Sequence, residues 1–365
     1  MSGWREMSLG DFVRLQRGHD LTDEQRRSGR VPVMGSAGMN GHHDTALAKG
    51  PGVVVGRSGA SFGQVHYCPA DYWPHNTALY VTDFRGNDTR FAYYFLKSID
   101  FSRYNSGSAQ PSLNRNYIYP IRVCVPKPAE QRAIASVLGA LDDKIELNRR
   151  MNETLEALAQ SLFKAWFVDA TRDGLPKGWR EDCLDKIAHF LNGLTLQKFP
   201  PEGEDSLPVI KIAQLRAGNT EGADRASSQI APEYIVEDGD VLFSWSGSLE
   251  VELWCGGRGA LNQHLFKVTS QQFPKWFYFL WTRHHLPDFQ ATAAGKATTM
   301  GHIQRRHLTE AEVLVPPAAQ LEKMDRQMSP LIEKLIANNL ESRTLTALRD
   351  ALLPKLLSGE VRVAA

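Results

Sequence analysis

The residues able to do chemistry sit in a few short stretches, and each can be asked what reaction its types and spacing would serve. His42, His43 and Asp44 offer metal-ligating atoms, as do His284, His285 and His302. Adjacent residues of an extended segment point to opposite sides, and no further His or Cys lies near either group. A solvated loop is the competing reading, and no metal site is expected. Gly56-Arg57-Ser58-Gly59-Ala60-Ser61-Phe62-Gly63 has the small residues to cradle a phosphate with backbone N–H groups, yet it follows no βαβ fingerprint. The chain has no G-x-x-x-x-G-K-[ST] loop and no Asn-Pro-Pro-Tyr or Asp-Pro-Pro-Tyr run to hold a target amino group for methylation. Pro287-Asp288 lacks the Glu-x-Lys partner with which nucleases hold a metal near a phosphate. An ATPase, a self-sufficient methyltransferase or a stand-alone nuclease is therefore disfavoured, and no catalytic residue is expected.

Polar loops that occur in pairs carry more information. Arg57-Ser58-Gly59 corresponds to Trp245-Ser246-Gly247, and the stretch from Gly107 to Arg115 corresponds to the stretch from Gly295 to His302. Small residues let a backbone approach a ligand, while amide, hydroxyl and basic side chains bond base edges or phosphates. The candidate DNA contacts are Arg57, Ser58, Arg103, Ser108, Gln110, Asn114 and Arg115 in the first half. In the second they are Ser246, Ser248, Lys296, Thr298, Thr299, His302 and Arg305. Arg283, His284, His285, Arg306 and His307 add positive charge suited to phosphate, although Arg283 also reads as a solvated helix end. Ordinary polar turns remain the alternative for the loops. Arg26, Arg27 and Arg30 read as loop surface.

Positioning such loops requires a frame, and the frame is written twice. Gly3-Trp4-Arg5-Glu6 recurs as Gly178-Trp179-Arg180-Glu181, Tyr94-Phe95-Leu96 as Tyr278-Phe279-Leu280, and Val123-Cys124-Val125-Pro126 as Val313-Leu314-Val315-Pro316. Asn76-Thr77-Ala78-Leu79-Tyr80 is matched to Asn262-Gln263-His264-Leu265-Phe266. Short apolar runs at Gly52 to Gly56, Gln64 to Tyr67, Leu79 to Thr82 and Val241 to Trp245 predict strands of a mixed sheet. Phe91 to Lys97 and Lys275 to Thr282 predict one short buried helix per half.

After each Val-x-Val-Pro run the periodicity changes to three and four. Ile134, Val137, Leu138, Leu141, Ile145, Asn148, Met151, Leu155, Leu158 and Leu162 form one seam; Met324, Met328, Leu331, Leu335, Asn338, Leu345, Leu348 and Leu352 repeat it. Leu141 aligns with Leu331, Ile145 with Leu335, Asn148 with Asn338 and Leu155 with Leu345. An Asn on such a seam lowers stability but sets register; an Asn at the seam's edge is the other reading. Pro126 and Pro128, then Pro316 and Pro317, begin the helices. Gly174 and Pro176 mark a linker between the halves.

A length of 365 residues suits two domains, 42% hydrophobic and 23% charged residues exclude disorder, and 42 Lys and Arg against 41 Asp and Glu leave any basic face to local arrangement. Cys68, Cys124, Cys183 and Cys255 form no C-x-x-C pair and read as reduced thiols. No apolar signal core opens the chain and no 18-residue apolar run occurs, so a cytoplasmic protein with no membrane association is expected.

Over nearly its whole length this pattern resembles the specificity subunits of type I restriction-modification systems. The resemblance rests on Gly56-Arg57-Ser58-Gly59 leading to Tyr72-Trp73-Pro74 and Asn76-Thr77-Ala78, on Leu113-Asn114-Arg115, and on Pro126-Lys127-Pro128-Ala129-Glu130-Gln131-Arg132 with Leu141-Asp142-Asp143-Lys144-Ile145. It rests also on Ser161-Leu162-Phe163-Lys164-Ala165-Trp166-Phe167 and Leu261-Asn262-Gln263-His264-Leu265-Phe266-Lys267. It implies an α+β fold in which two target-recognition domains (residues 1–126 and 173–316) alternate with two long helices (127–172 with linker, and 317–361). Those helices would pair as an antiparallel coiled coil under a pseudo-twofold repeat.

It implies further a subunit without catalysis or a cofactor of its own that reads a split double-stranded DNA site. Two methyltransferase subunits using S-adenosylmethionine, and restriction or motor subunits using ATP and Mg, would be its partners. The second helix departs from the family pattern, with Pro316-Pro317-Ala318-Ala319-Gln320 in place of a full Pro-x-x-Glu-Gln, so unequal docking of partners is expected. The competing functions are an enzyme with unseen motifs and a protein-binding scaffold.

Overall fold

The computed structural model describes residues 4–107, 110–172, 174–202, 205–295 and 301–363. By contact the chain divides into two units, Met1–Lys144 with Leu345–Ala365, and Ile145–Thr344. Both divisions fall inside long helices, Pro128–Phe163 and Ala318–Ser358.

In the first unit an antiparallel sheet orders Arg14–Arg17, Ala78–Asp83, Gly52–Gly56 and Val65–Cys68. Gly52–Gly56 is buried along its whole length, so its apolar run does not alternate. A smaller sheet orders Gly38–His43, Val31–Gly35 and Trp73–Pro74, and Arg5–Ser8 pairs with Arg122–Val125. Asp88 accepts a hydrogen bond from Phe91 N and so starts the helix Thr89–Lys97, whose Phe91 and Phe95 pack on Phe12.

The second unit repeats this topology. His189–Asn192, Leu265–Thr269, Val241–Ser244 and Val251–Leu253 form the corresponding sheet, and Arg180–Cys183 pairs with Glu312–Val315. The second sheet has four strands here, Arg225–Ser227, Ser206–Ile210, Gly259–Leu261 and Ile235–Val236. Its parallel pair Val209 with Ala260 matches Val33 with Trp73 in the first unit. The helix Lys275–His284 supplies Trp276, Phe277 and Trp281 to a core with Phe163, Phe167 and Trp179. A further helix, Leu286–Ala294, follows it; a 3-10 turn, Phe101–Tyr104, stands there in the first unit.

Single side-chain bonds repeat as well. Trp4 Nε1 donates to Glu130 Oε1 at 3.4 Å, and Trp179 Nε1 donates to Gln320 Oε1 at 3.0 Å. The glutamine that departs from the family pattern therefore keeps the acceptor, fastening the first strand of each unit to the start of a long helix.

The long helices have 36 and 41 residues, and the first continues as a wide turn, Lys164–Asp169. Within the second unit they run antiparallel. Asn148 Nδ2 donates to Glu341 Oε2 at 2.9 Å and Ser342 Oγ at 3.3 Å, while Asn338 Nδ2 donates to Asn152 Oδ1 at 2.8 Å. Under the shift that aligns Asn148 with Asn338, Asn152 aligns with Ser342, so these bonds exchange. Asn148 and Asn338 are fully buried.

Leu335 is buried; Leu141, Ile145, Leu155, Leu331 and Leu345 are half-buried. Leu158 and Leu348, assigned to the seam by spacing, are exposed. A straight helix drifts by about 20° per heptad, which carries such positions off the contact line.

Three other expectations change. His42 and His43 lie on a strand, not in a loop; His43 is buried, edge-on to Trp73, and its Nδ1 accepts from Arg27 N at 3.1 Å. Arg283 is no solvated helix end: it pairs with Glu156 at 3.2 Å and lies over Phe279. The match of Asn76 with Asn262 is one residue off. The bridges His19 with His75 and Leu194 with Asn262 make His75 the counterpart of Asn262, and so Asn76 that of Gln263. A one-residue slip reverses the face of every strand side chain, so only this register keeps the cores intact.

Candidate nucleic-acid interface

In each unit a buried central strand ends at the position where the sequence places a functional loop. In the first unit Arg57 follows Gly52–Gly56; its N donates to Thr77 O at 2.9 Å and its O accepts from Leu113 N at 2.7 Å. In the second, Trp245 follows Val241–Ser244; its N donates to His264 O at 3.3 Å and its O accepts from Ile303 N at 3.0 Å. The backbone of this residue is clamped on both sides in both units, which pre-orients its side chain.

Two loops approach it. Gly18 lets the first close on the Ala78 strand: a Cβ there would lie 2.2 Å from His75 O, and at Gly193, its counterpart, 2.3 Å from Asn262 O. This close approach delivers Arg17 and Asp20 in the first unit and Asn192 and Thr195 in the second. The second loop arrives through the bridges Ser58 with Ser112 and Ser246 with His302.

A four-position network results. In the first unit Arg57 Nε donates to Asn76 O at 3.1 Å, Asn76 Nδ2 makes a close hydrogen bond to Asp20 Oδ1, and Arg17 Nη2 lies 3.7 Å from the same carboxylate. In the second unit Trp245 Nε1 donates to Gln263 O at 3.2 Å and to Asn192 Oδ1 at 2.9 Å, while Thr195 Oγ1 makes a close hydrogen bond to Gln263 Oε1. The positions are the same; Arg17, Asp20, Arg57 and Asn76 become Asn192, Thr195, Trp245 and Gln263.

The electrostatics differ accordingly. In the first unit a cleft of about 570 Å³ is lined by Arg17, Asp20, Arg57, Ser112, Asn114 and Arg115, among others. Burial, and then the Arg17 charge, push the Arg57 guanidinium below its usual pKa, with Asp20 opposing. The second unit's network contains no Asp, Glu, Lys or Arg: Ser246 Oγ meets His264 Nδ1 at 2.9 Å, and the Trp245 ring lies edge-on to His302.

The remaining candidates divide. Asn114 caps the turn Arg115–Ile118, accepting from Asn116 N at 3.0 Å. Arg115 Nη1 donates to Leu15 O at 3.1 Å, and its counterpart Arg305 Nη2 donates to Phe190 O at 3.1 Å, so both guanidiniums tie a loop to a strand end. Arg103 pairs with Asp100 at 3.4 Å. Gln110 and Ser248 are exposed, Ser58 and His302 half-buried, and Ser246 buried. Ser108, Lys296, Thr298 and Thr299 lie outside the described residues.

Arg17, Asp20, Asn76, Asn192, Thr195, Trp245 and Gln263 were not singled out as site residues from sequence. The aligned strings around Asn76 and Gln263 held a signal, blurred by the register slip. Among the described residues no group of three or more His, Cys, Asp and Glu could hold a metal ion, and no helix is long and apolar enough to cross a membrane. The four cysteines are free thiols.

Residues 1–157 match the family model described as "Type I restriction modification DNA specificity domain". The chain is 28% identical over 301 residues to the type I restriction enzyme MjaIX specificity subunit of Methanocaldococcus jannaschii, covering 75% of this chain and 69% of that one. It is 20% identical over 328 residues to the type I restriction enzyme HindI specificity subunit of Haemophilus influenzae, covering 69% and 71%. The crystal structure of a type I restriction-modification system S subunit from M. genitalium has the same fold, with a TM-score of 0.63 at 18% identity over 97% of this chain and 96% of that one. Over most of its length the chain is similar to specificity subunits of type I restriction-modification systems, and residues 1–157 match the model of their DNA specificity domain.

Proposed function

We propose that the chain is the sequence-specific DNA-binding subunit of a type I restriction-modification complex and reads a bipartite site. Residues 1–126 and 173–316 serve as the two target-recognition domains. Residues 127–172 and 317–361 serve as an antiparallel coiled coil, under a pseudo-twofold relation, that holds the half-sites at fixed spacing. As a specificity subunit the chain is non-catalytic. It directs adenine methylation by two methyltransferase subunits that use S-adenosylmethionine, and DNA cleavage by restriction subunits that use ATP and Mg.

The observation that carries this reading is the network built twice on one backbone frame with different side chains. A duplicated frame supplies two equivalent docking geometries, and divergence of the exposed groups supplies two different sequences to read. A scaffold would have no need for that pattern of conserved frame and diverged polar surface.

The test is to co-express the chain with its methyltransferase subunits in a host lacking adenine methylation and to map methylated adenines. A split motif is expected. Exchanging residues 107–115 for those of another specificity subunit should change one half-site and leave the other; loss of both halves together would point to a folding defect and count against the assignment.

A further inference from the structure

The two networks differ in a way that assigns a base. Arg57 uses Nε on the Asn76 carbonyl, and Nη1 and Nη2 have no hydrogen-bond partner among the described residues. The guanidinium is thus held by its stem side with its fork open to the cleft. Beside it, Asp20 uses Oδ1 on Asn76 and Arg17, and Oδ2 has no hydrogen-bond partner among the described residues. The cleft therefore presents a paired donor and, a short distance away, an anionic acceptor.

A phosphate would satisfy the donors but be repelled by the carboxylate. In the major groove a G·C pair offers the complement of both: guanine O6 and N7 accept, and cytosine N4 donates. We propose that the first unit reads a guanine·cytosine pair, with Arg57 on guanine and Asp20 beside the cytosine amine, and that Arg57 is a specificity-determining residue. The second unit cannot do the same at this position. Trp245 already spends its single N–H on Asn192 and Gln263, and Thr195 stands where Asp20 does, so neither fork nor anion is present. The two half-sites differ at the base that meets this position, which makes the whole site asymmetric.

This inference rests on the DNA-reading function proposed above, and one experiment separates the two. The chain, Arg57→Gln and Arg57→Lys are each co-expressed with the methyltransferase subunits, adenine methylation is mapped, and thermal unfolding of the purified complexes reports folding. The wild type should require a G·C pair in one half-site. Arg57→Gln should relax that requirement on the order of 10- to 100-fold, with every other position unchanged. Arg57→Lys, which keeps the charge and the fold but not the bidentate fork, should relax the same position.

A uniform loss of methylation in Arg57→Gln that Arg57→Lys restores, with an unaltered motif, would overturn the base assignment in favour of a phosphate contact. A bipartite motif whose every base requirement survives both variants would overturn it as well. A wild-type complex that methylates no split motif would instead remove the function on which the inference stands.

Discussion

At the scale of residues, the seam shows how polar groups act where apolar ones would pack more tightly. Asn148 and Asn338 are fully buried and Asn152 nearly so, and each is bonded across the helix pair of the second unit. Asn152 Nδ2 also donates to Asn339 Oδ1 at 2.7 Å, a second polar contact that the heptad spacing does not reveal. Removing Asn338 leaves Asn152 Oδ1 buried without its donor, whereas replacing both by apolar residues restores an apolar contact. Asn338→Ala should therefore destabilise the protein by about 1–3 kcal/mol, and Asn152→Leu with Asn338→Leu by much less than the sum of the single changes. A double-mutant cycle in urea unfolding measures this. Additive losses would mean that the pair is not coupled.

At the scale of elements, the long helices are anchored differently in the two units. In the first, Asp142 accepts from Arg349 Nη1 at 2.8 Å and from Tyr94 Oη at 2.5 Å. The aligned positions in the second are Ile332 and Ala159, both buried, so a charged contact in one unit stands where the other has an apolar one. The second unit has its own ion pair: Arg343 Nη1 and Nη2 donate to the two Asp238 oxygens at 2.7 Å each, and Gly257 N donates to Oδ1 at 2.8 Å.

These donors, Arg343 first, hold the Asp238 carboxyl below its usual pKa against the opposing effect of burial. A group depressed on folding stabilises above its unfolded value and loses that contribution as pH falls through the folded one. The stability difference between the wild type and Asp238→Asn should be constant above about pH 5 and shrink as the pH drops below the ordinary aspartate range. Parallel pH–stability curves would show that the contact contributes nothing.

At the scale of the whole molecule, the proposed spacing of the half-sites is carried by helix length. Removing two heptads from each long helix shortens each by about 21 Å at the ordinary rise per residue. Taken at aligned positions, so that the polar contacts of the seam keep their partners, the deletion should shorten the gap in the methylated motif or abolish methylation. An unchanged gap would show that the helices are not the ruler.

The sequence by itself determined the paired strings, the long helices and the resemblance to a family. Each is carried by local strings: the two Gly-Trp-Arg-Glu runs, the spacing of three and four from Ile134 to Leu162, the Pro126-Lys127-Pro128-Ala129-Glu130-Gln131 start. Backbone periodicity is a property of neighbours along the chain, so it survives without knowledge of the fold. The paired side-chain networks are of another kind. Arg17, Asp20, Arg57 and Asn76 come from three separate segments, and each segment has its own offset to its copy, so no string contains the site. Tertiary pairing decided it: strand register set Asn76 against Gln263, the glycine at 18 and 193 admitted the loop, and the clamp on Arg57 and Trp245 aimed two unlike side chains from one position.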